Sequence, residues 1–165
     1  GVLALNGADV VEASAHSEHG RALSVFRVRQ VLGGSPDWPR IEDQVDRALA
    51  GRLALSARIG DRSRTYRPIR LTARPARPTV TVDNSSSATA TVLEVTCPDG
   101  VGVIYRITRA FTELEIHIVR ARVQTLGSDV VGAFYVRDSY GAKVTDSEHL
   151  AEIEMLVLWS VSVDL

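Results

Sequence analysis

Cysteine is nearly absent: Cys97 is the only one in 165 residues. A single thiol excludes an internal disulfide framework and suits a reducing compartment, so a cytoplasmic setting is expected. Long apolar runs are missing too. None approaches the ~20 residues that a membrane span needs, and Gly1–Leu5 has no signal-peptide character. Nor is either sign of charge in excess. Lys and Arg number 19 against 20 Asp and Glu, a net charge of -1, which offers no global attraction to nucleic acid or membrane. What is present is 45 % hydrophobic and 24 % charged, enough for both a core and a soluble surface. The length fits one medium domain or two small ones, since domains commonly run ~50–200 residues. The chain opens without methionine and in mid-pattern, so it reads as a piece of a longer protein.

An internal repeat organises it. Phe26 and Phe134 lie 108 residues apart, and so do Ala13 and Ala121, Val10 and Ile118, Val28 and Val136, Val45 and Ile153. Turns and apolar positions agree without a gap, which two copies of one supersecondary unit explain most simply. In the second copy Val119, Ala121 and Val123 alternate with Arg120, Arg122 and Gln124, the period of a half-buried strand. Leu126-Gly127-Ser128-Asp129 turns this strand into a hairpin, and Ser17-Glu18-His19-Gly20 is the matching turn. A helix follows each hairpin. Thr145-Asp146-Ser147-Glu148 is a capping box ahead of Leu150, Ile153 and Val157. In the first copy Ser35-Pro36-Asp37-Trp38 opens the helix, Ile41, Val45 and Leu49 line one face, and Gly51 ends it.

The second copy begins earlier in its pattern. Thr91-Val92-Leu93-Glu94-Val95-Thr96 reads as a strand, Cys97 to Gly102 breaks it, and Val103, Ile107, Ala110, Phe111 and Leu114 then mark a helix. Strand, helix, strand, strand, helix is most of a ferredoxin-like βαββαβ unit, an α+β fold with helices on one face of an antiparallel sheet. The first copy lacks its opening strand and the front of its first helix. Residues 1–51 are therefore the truncated first module, 52–90 a connector, and 91–165 the second module. Within the connector, the stretch from Arg52 to Arg77 carries Arg52, Arg58, Arg62, Arg64, Arg67, Arg70, Arg74 and Arg77 with one acid, Asp61, and Pro68, Pro75 and Pro78 punctuate its end. The connector reads as a helical continuation to about Tyr66, an extended linker, and a short strand at 79–83 that completes the first sheet or edges the second.

The chemistry on offer is a binding loop. Asp99, Gly100, Val101, Gly102 and Val103 join a strand to a helix N-terminus, where unpaired N–H groups and the helix dipole accept a carboxylate. The glycines permit positive φ and close approach of a ligand to the backbone. Asp99 would meet an ammonium group, or it would simply cap the helix. The set suits a zwitterionic amino acid; a glycine-rich turn with an aspartate cap has the same pattern. His117, opening the next strand, is placed by this topology near the mouth of the loop, where it would touch ligand or remain a surface histidine.

Thr91 to Leu158 resembles an ACT module through Thr91–Thr96, Pro98-Asp99 with Gly102, Ile104–Ala110, Ile116-His117, Ala121–Val123, Thr125–Gly127 and Phe134–Val136. Nearly the whole chain resembles the C-terminal tandem ACT region of the bacterial PII uridylyltransferase/uridylyl-removing enzyme family. Val11–Ser17 and Ser35–Trp38 are similar to its actinobacterial branch, in which adenylyl transfer is an alternative to uridylyl transfer. The resemblance implies glutamine as ligand, nucleotidyltransferase and phosphohydrolase domains upstream that would hold the magnesium, and the PII protein as a partner of the whole enzyme. It implies no catalysis and no cofactor in this region itself. Where that family usually has arginine-proline between the loop aspartate and glycine, this chain has Gly100-Val101. Losing proline raises the cost of ordering the loop by ~0.4–1 kcal/mol. Modules of this kind often pair, so a homodimer is expected.

Other residues carry less. His16 and His19, with Glu18 beside them, suggest a metal site but have no further well-placed ligand. Cys97 reads as a small buried hydrophobe. The arginine-rich connector fits a solvated linker docked on absent domains, with acidic partners or RNA as the alternative. Two rival functions remain: a ligand-free ACT-type dimerisation module, and an RNA-binding ferredoxin-like domain hinted at by Gly132–Val136. Val92-Leu93-Glu94-Val95 lacks the stacking aromatics that the second needs.

Overall fold

The computed structural model describes residues 1–30, 35–65 and 77–162. The middle of the connector, Pro68 and Pro75 included, lies outside them. The elements run α1 (Val2–Leu5), β1 (Ala8–Glu18), β2 (Arg21–Gln30), α2 (Trp38–Leu49), α3 (Leu55–Thr65), β3 (Thr79–Asp83), β4 (Thr91–Pro98), α4 (Val103–Glu113), β5 (His117–Leu126), β6 (Asp129–Arg137) and α5 (Ser147–Ser162). One antiparallel sheet of six strands holds them in the order β2-β1-β5-β6-β4-β3. This is an α+β fold of two ferredoxin-like modules fused edge to edge.

The two copies meet through equivalent strands. β1 pairs with β5, and Ser14 faces Arg122, its own counterpart in the repeat. A local two-fold axis therefore passes through the middle of the seam. Each hairpin also carries a bulge at the same place. The register slips between Val10 and Glu12 in one copy and between Ile118 and Arg120 in the other, leaving Val11 and its counterpart Val119 as the extra residues. The strict alternation expected through Val119 is broken there, while Ala121 and Val123 do face the core. At the first turn His19 and Gly20 both have positive φ, 50° and 70°, as a two-residue hairpin turn requires.

β3 settles the place of the connector strand: it pairs with β4 and edges the second sheet. The main core lies between the β4–β6 half and its two helices. Leu93, Val95, Ile107, Phe111, Phe134, Ile153 and Val157 form its centre, with the Phe111 and Phe134 rings edge to face at 5.4 Å. Gly132 belongs here because a β-carbon on it would lie 2.8 Å from the Phe134 ring. α5 starts one residue later than the capping-box reading, with Asp146 rather than Thr145 as the cap, its Oδ1 accepting from the His149 N–H at 2.7 Å.

The first copy has no such core. α2 packs on α1, not on the strands, around a small cluster of Val2, Ile41 and Leu53. Of its expected inward face only Ile41 is buried; Val45 is exposed and Leu49 is 83 % exposed, with Gln44 turned inward instead. Phe26 is 46 % exposed where its counterpart Phe134 is 1 % exposed. Its strand β2 is a sheet edge here, whereas β6 lies between β5 and β4. The helical continuation is a separate helix, α3, because Gly51 at φ +67° breaks the chain after α2.

Candidate functional site

The loop sits where β4 leaves the sheet. Cys97 is fully buried there, and burial, the largest cause, pushes its thiol up to about 11. Pro98 still pairs with Asp129, and the Asp99 N–H donates to the Ser128 carbonyl at 2.8 Å, tying the loop to the β5–β6 turn. Gly102 then adopts φ +73° as the N-cap of α4, with no side chain capping it. Asp99 does not cap the helix: its Oδ1 accepts from the Gly100 N–H at 2.9 Å. Arg106 reaches back from α4, its Nη1 donating to the Val101 carbonyl at 3.1 Å. The elbow is therefore a built turn, and Asp99 through Val103 are held together in it.

Its surroundings come from the other module. Burial raises Asp99 from 3.8 to about 6, and the nearby Asp9 carboxylate adds to the rise, with the Gly100 bond and the Arg29 charge opposing it. Asp9 in turn holds Arg29 at 2.7 Å. The mouth of the elbow is thus a seam site with two carboxylates and a guanidinium.

His117 is not there. In an antiparallel hairpin the start of β5 faces the end of β6, so His117 pairs with Arg137, while the elbow adjoins Asp129 at the other end of β6. Eight residues of strand separate the two places, about 26 Å at ~3.3 Å each. Asp9, the repeat counterpart of His117, stands at the elbow instead, because β1 crosses to β5 from the other module. Sequence adjacency gives no hint of it.

The elbow is also roofed. Ile59 of α3, 3 % exposed, lies so close that a β-carbon on Gly102 would be 2.5 Å from its Cγ2. The arginine-rich segment read as a solvated linker thus supplies an apolar plug. The available signal was Leu55 and Ile59, apolar residues four apart in an otherwise polar helix.

A pH test reports on Asp99 directly. The folded protein holds its proton to about 6 against 3.8 for the free group, so the folded state binds more protons between those values. Stability contributed by this group is present below about pH 4 and lost as pH rises towards 6. Asp99→Asn keeps an acceptor for Gly100 and removes the charge. It should stabilise the chain at pH 7.5 but not at pH 4, measured by denaturant unfolding; equal effects at both would refute the buried-carboxylate reading.

Among the described residues no three metal-ligating side chains gather, and no helix is long and apolar enough to cross a membrane. Of the two aromatics in the stretch behind the RNA-binding alternative, Phe134 is buried against Phe111 and Tyr135 is half-buried.

Comparison with known proteins places this geometry. A family model described as an ACR9-like, ACT-like domain matches residues 79–162. The bifunctional uridylyltransferase/uridylyl-removing enzyme of Gluconobacter oxydans (strain 621H) is 35 % identical over 167 residues, covering 98 % of this chain and 18 % of that enzyme. The enzyme of the same name from Azospirillum brasilense is 33 % identical over 168 residues, with the same coverage of 98 % and 18 %. That from Streptomyces coelicolor is 35 % identical over 123 residues, 74 % of this chain and 15 % of that enzyme. The chain thus spans less than a fifth of the length of these curated relatives. No solved structure matches it significantly. With the family model spanning β3 through α5, the chain belongs to the ACT-like domain family, and over nearly its whole length it is similar to part of bifunctional uridylyltransferase/uridylyl-removing enzymes.

Proposed function

We propose that this chain is the amino-acid-sensing region of a bifunctional PII-protein nucleotidyltransferase and nucleotidyl-removing enzyme, with the β4–α4 elbow as its ligand site and glutamine as the ligand. The observation that carries the reading is the position of the elbow on the seam. Asp99 of one module faces Asp9 and Arg29 of the other, so a small zwitterion there touches both halves. The carboxylates suit an ammonium, the guanidinium and the Val101 and Gly102 amides a carboxylate, the Asp99, Gly100 and Val103 amides being already bonded within the elbow. A ligand bound across two bodies favours one arrangement of them over another, which is how binding here would reach attached catalytic domains; such coupling is typically ~1–3 kcal/mol. Catalysis and its magnesium belong, in this reading, to those domains, and PII to the whole enzyme.

Ile59 sets the condition. Because it covers Gly102, α3 must yield for ligand to reach the amides, which makes α3 the moving element. The same contact favours a second reading, a ligand-free ACT-type module that serves only to pair chains. Calorimetry with glutamine separates the two. The sensing reading expects saturable heat that Asp99→Ala abolishes and that strengthens as pH rises past 6, where Asp99 ionises. Silence across the amino acids leaves the pairing module.

A further inference from the structure

We propose that the cleft between α1, α2 and α3 binds a small, multiply charged oxyanion, a site separate from the elbow and independent of its reading. The cleft has a volume of about 370 Å³, within the ~300–1,000 Å³ usual for small-molecule sites. Its polar lining is Arg40 and Gln44 from α2 with Arg58, Asp61 and Arg62 from α3.

Nearly all the polar groups on offer there are donors. Gln44 is buried, and its Oε1 already accepts from Asn6 Nδ2 at 3.0 Å, so its NH2 end is left for the cleft. Asp61, the one acid, is engaged by Arg64 at 3.3 Å, the next turn along α3. Arg40, Arg58 and Arg62 make no side-chain ion pair or hydrogen bond among the described residues. Four arginines elsewhere are held by acids, Arg27 by Glu12, Arg29 by Asp9, Arg47 by Asp43 and Arg109 by Glu113.

Arg58 and Arg62 stand four residues apart on one helix, an arrangement in which like charges repel. Arg62 is also drawn in over the α1–β1 turn, where a β-carbon on Gly7, at φ +71°, would lie 3.2 Å from its guanidinium. Half-buried Arg62, exposed Arg40 and Arg58, and the amide NH2 of Gln44 line one cleft from two helices. That donor set matches an oxyanion, which arginine engages in bidentate fashion. The arginines that composition alone assigned to a solvated linker thereby acquire a target: a phosphate-bearing or polycarboxylate molecule.

The test is calorimetry and thermal melting of the 165-residue chain with pyrophosphate in one arm and citrate in the other. Saturable binding that raises the Tm is expected in at least one arm, and the preferred arm names the anion class. Arg58→Ala and Arg62→Ala should each weaken it about tenfold or more. Both variants should melt no lower than the parent without anion, since each relieves repulsion. Gln44→Glu retains the acceptor for Asn6 and puts a negative charge in the cleft, so it should abolish binding in a folded chain. Arg21→Ala, on the distant β1–β2 turn, should change nothing. The proposal is overturned by no saturable binding of either probe, by binding that all three cleft variants retain, or by a response to heparin alone.

Discussion

Phe134→Ala should cost ~3–5 kcal/mol of stability, while Phe26→Ala, its repeat counterpart, should cost about 1 kcal/mol or less. The sequence context of the two is the same: each follows a hairpin turn and pairs with an alanine, Phe26 with Ala13 and Phe134 with Ala121. Burial differs. Phe134 is sealed between β5, β4 and Phe111, and truncating it leaves a cavity that a packed sheet and two helices close only partly. Phe26 sits on an edge strand with nearly half its surface in water. For a chain of this size ~1 kcal/mol shifts the Tm by about 2–4 °C, so the Phe134 change should lower it by roughly 6–20 °C. Thermal denaturation of the two variants side by side decides. Equal losses would mean that the first module has a covered core, contrary to the fold described.

Gly102→Ala should be nearly as damaging, and its cost should depend on Ile59. An alanine held at φ +73° carries a strain of ~1–2 kcal/mol. Its β-carbon would in addition press on Ile59 Cγ2 at 2.5 Å, and overpacking of this kind adds ~1–3 kcal/mol. In an Ile59→Ala background the second cost should vanish and the first remain. A double-mutant cycle by urea unfolding measures the difference as a coupling energy. No coupling would mean that α3 does not rest on the elbow, and the gating role given to it would fall.

Much of this was legible in the sequence, and what was not has physical causes. The repeat announced two hairpins, and Thr91 to Glu113 announced strand, elbow and helix, because period and turn chemistry are local. The face of α2 was misread since Val45 and Leu49 have apolar counterparts, Ile153 and Val157, that are buried. Helical spacing says which residues share a stripe, not whether a sheet is there to receive it. His117 was placed beside the elbow by the expected topology, but in the antiparallel hairpin the start of β5 faces the far end of β6. Asp9 escaped notice for the converse reason. It reaches Asp99 only through pairing of equivalent strands across the local two-fold. Ile59 was hidden in a segment whose composition is that of a solvated linker, though two apolar residues one turn apart suffice to dock a helix.

The most direct measurement is an NMR titration of the chain with glutamine, following the Asp9 and Asp99–Val103 amides together with the Ile59 methyls. Saturating shifts at all three places, on one binding curve, are the predicted result, since ligand must enter beneath α3 and touch both modules. Shifts confined to residues away from the seam, or none at millimolar glutamine, would contradict the account and leave a scaffold that joins modules without sensing anything.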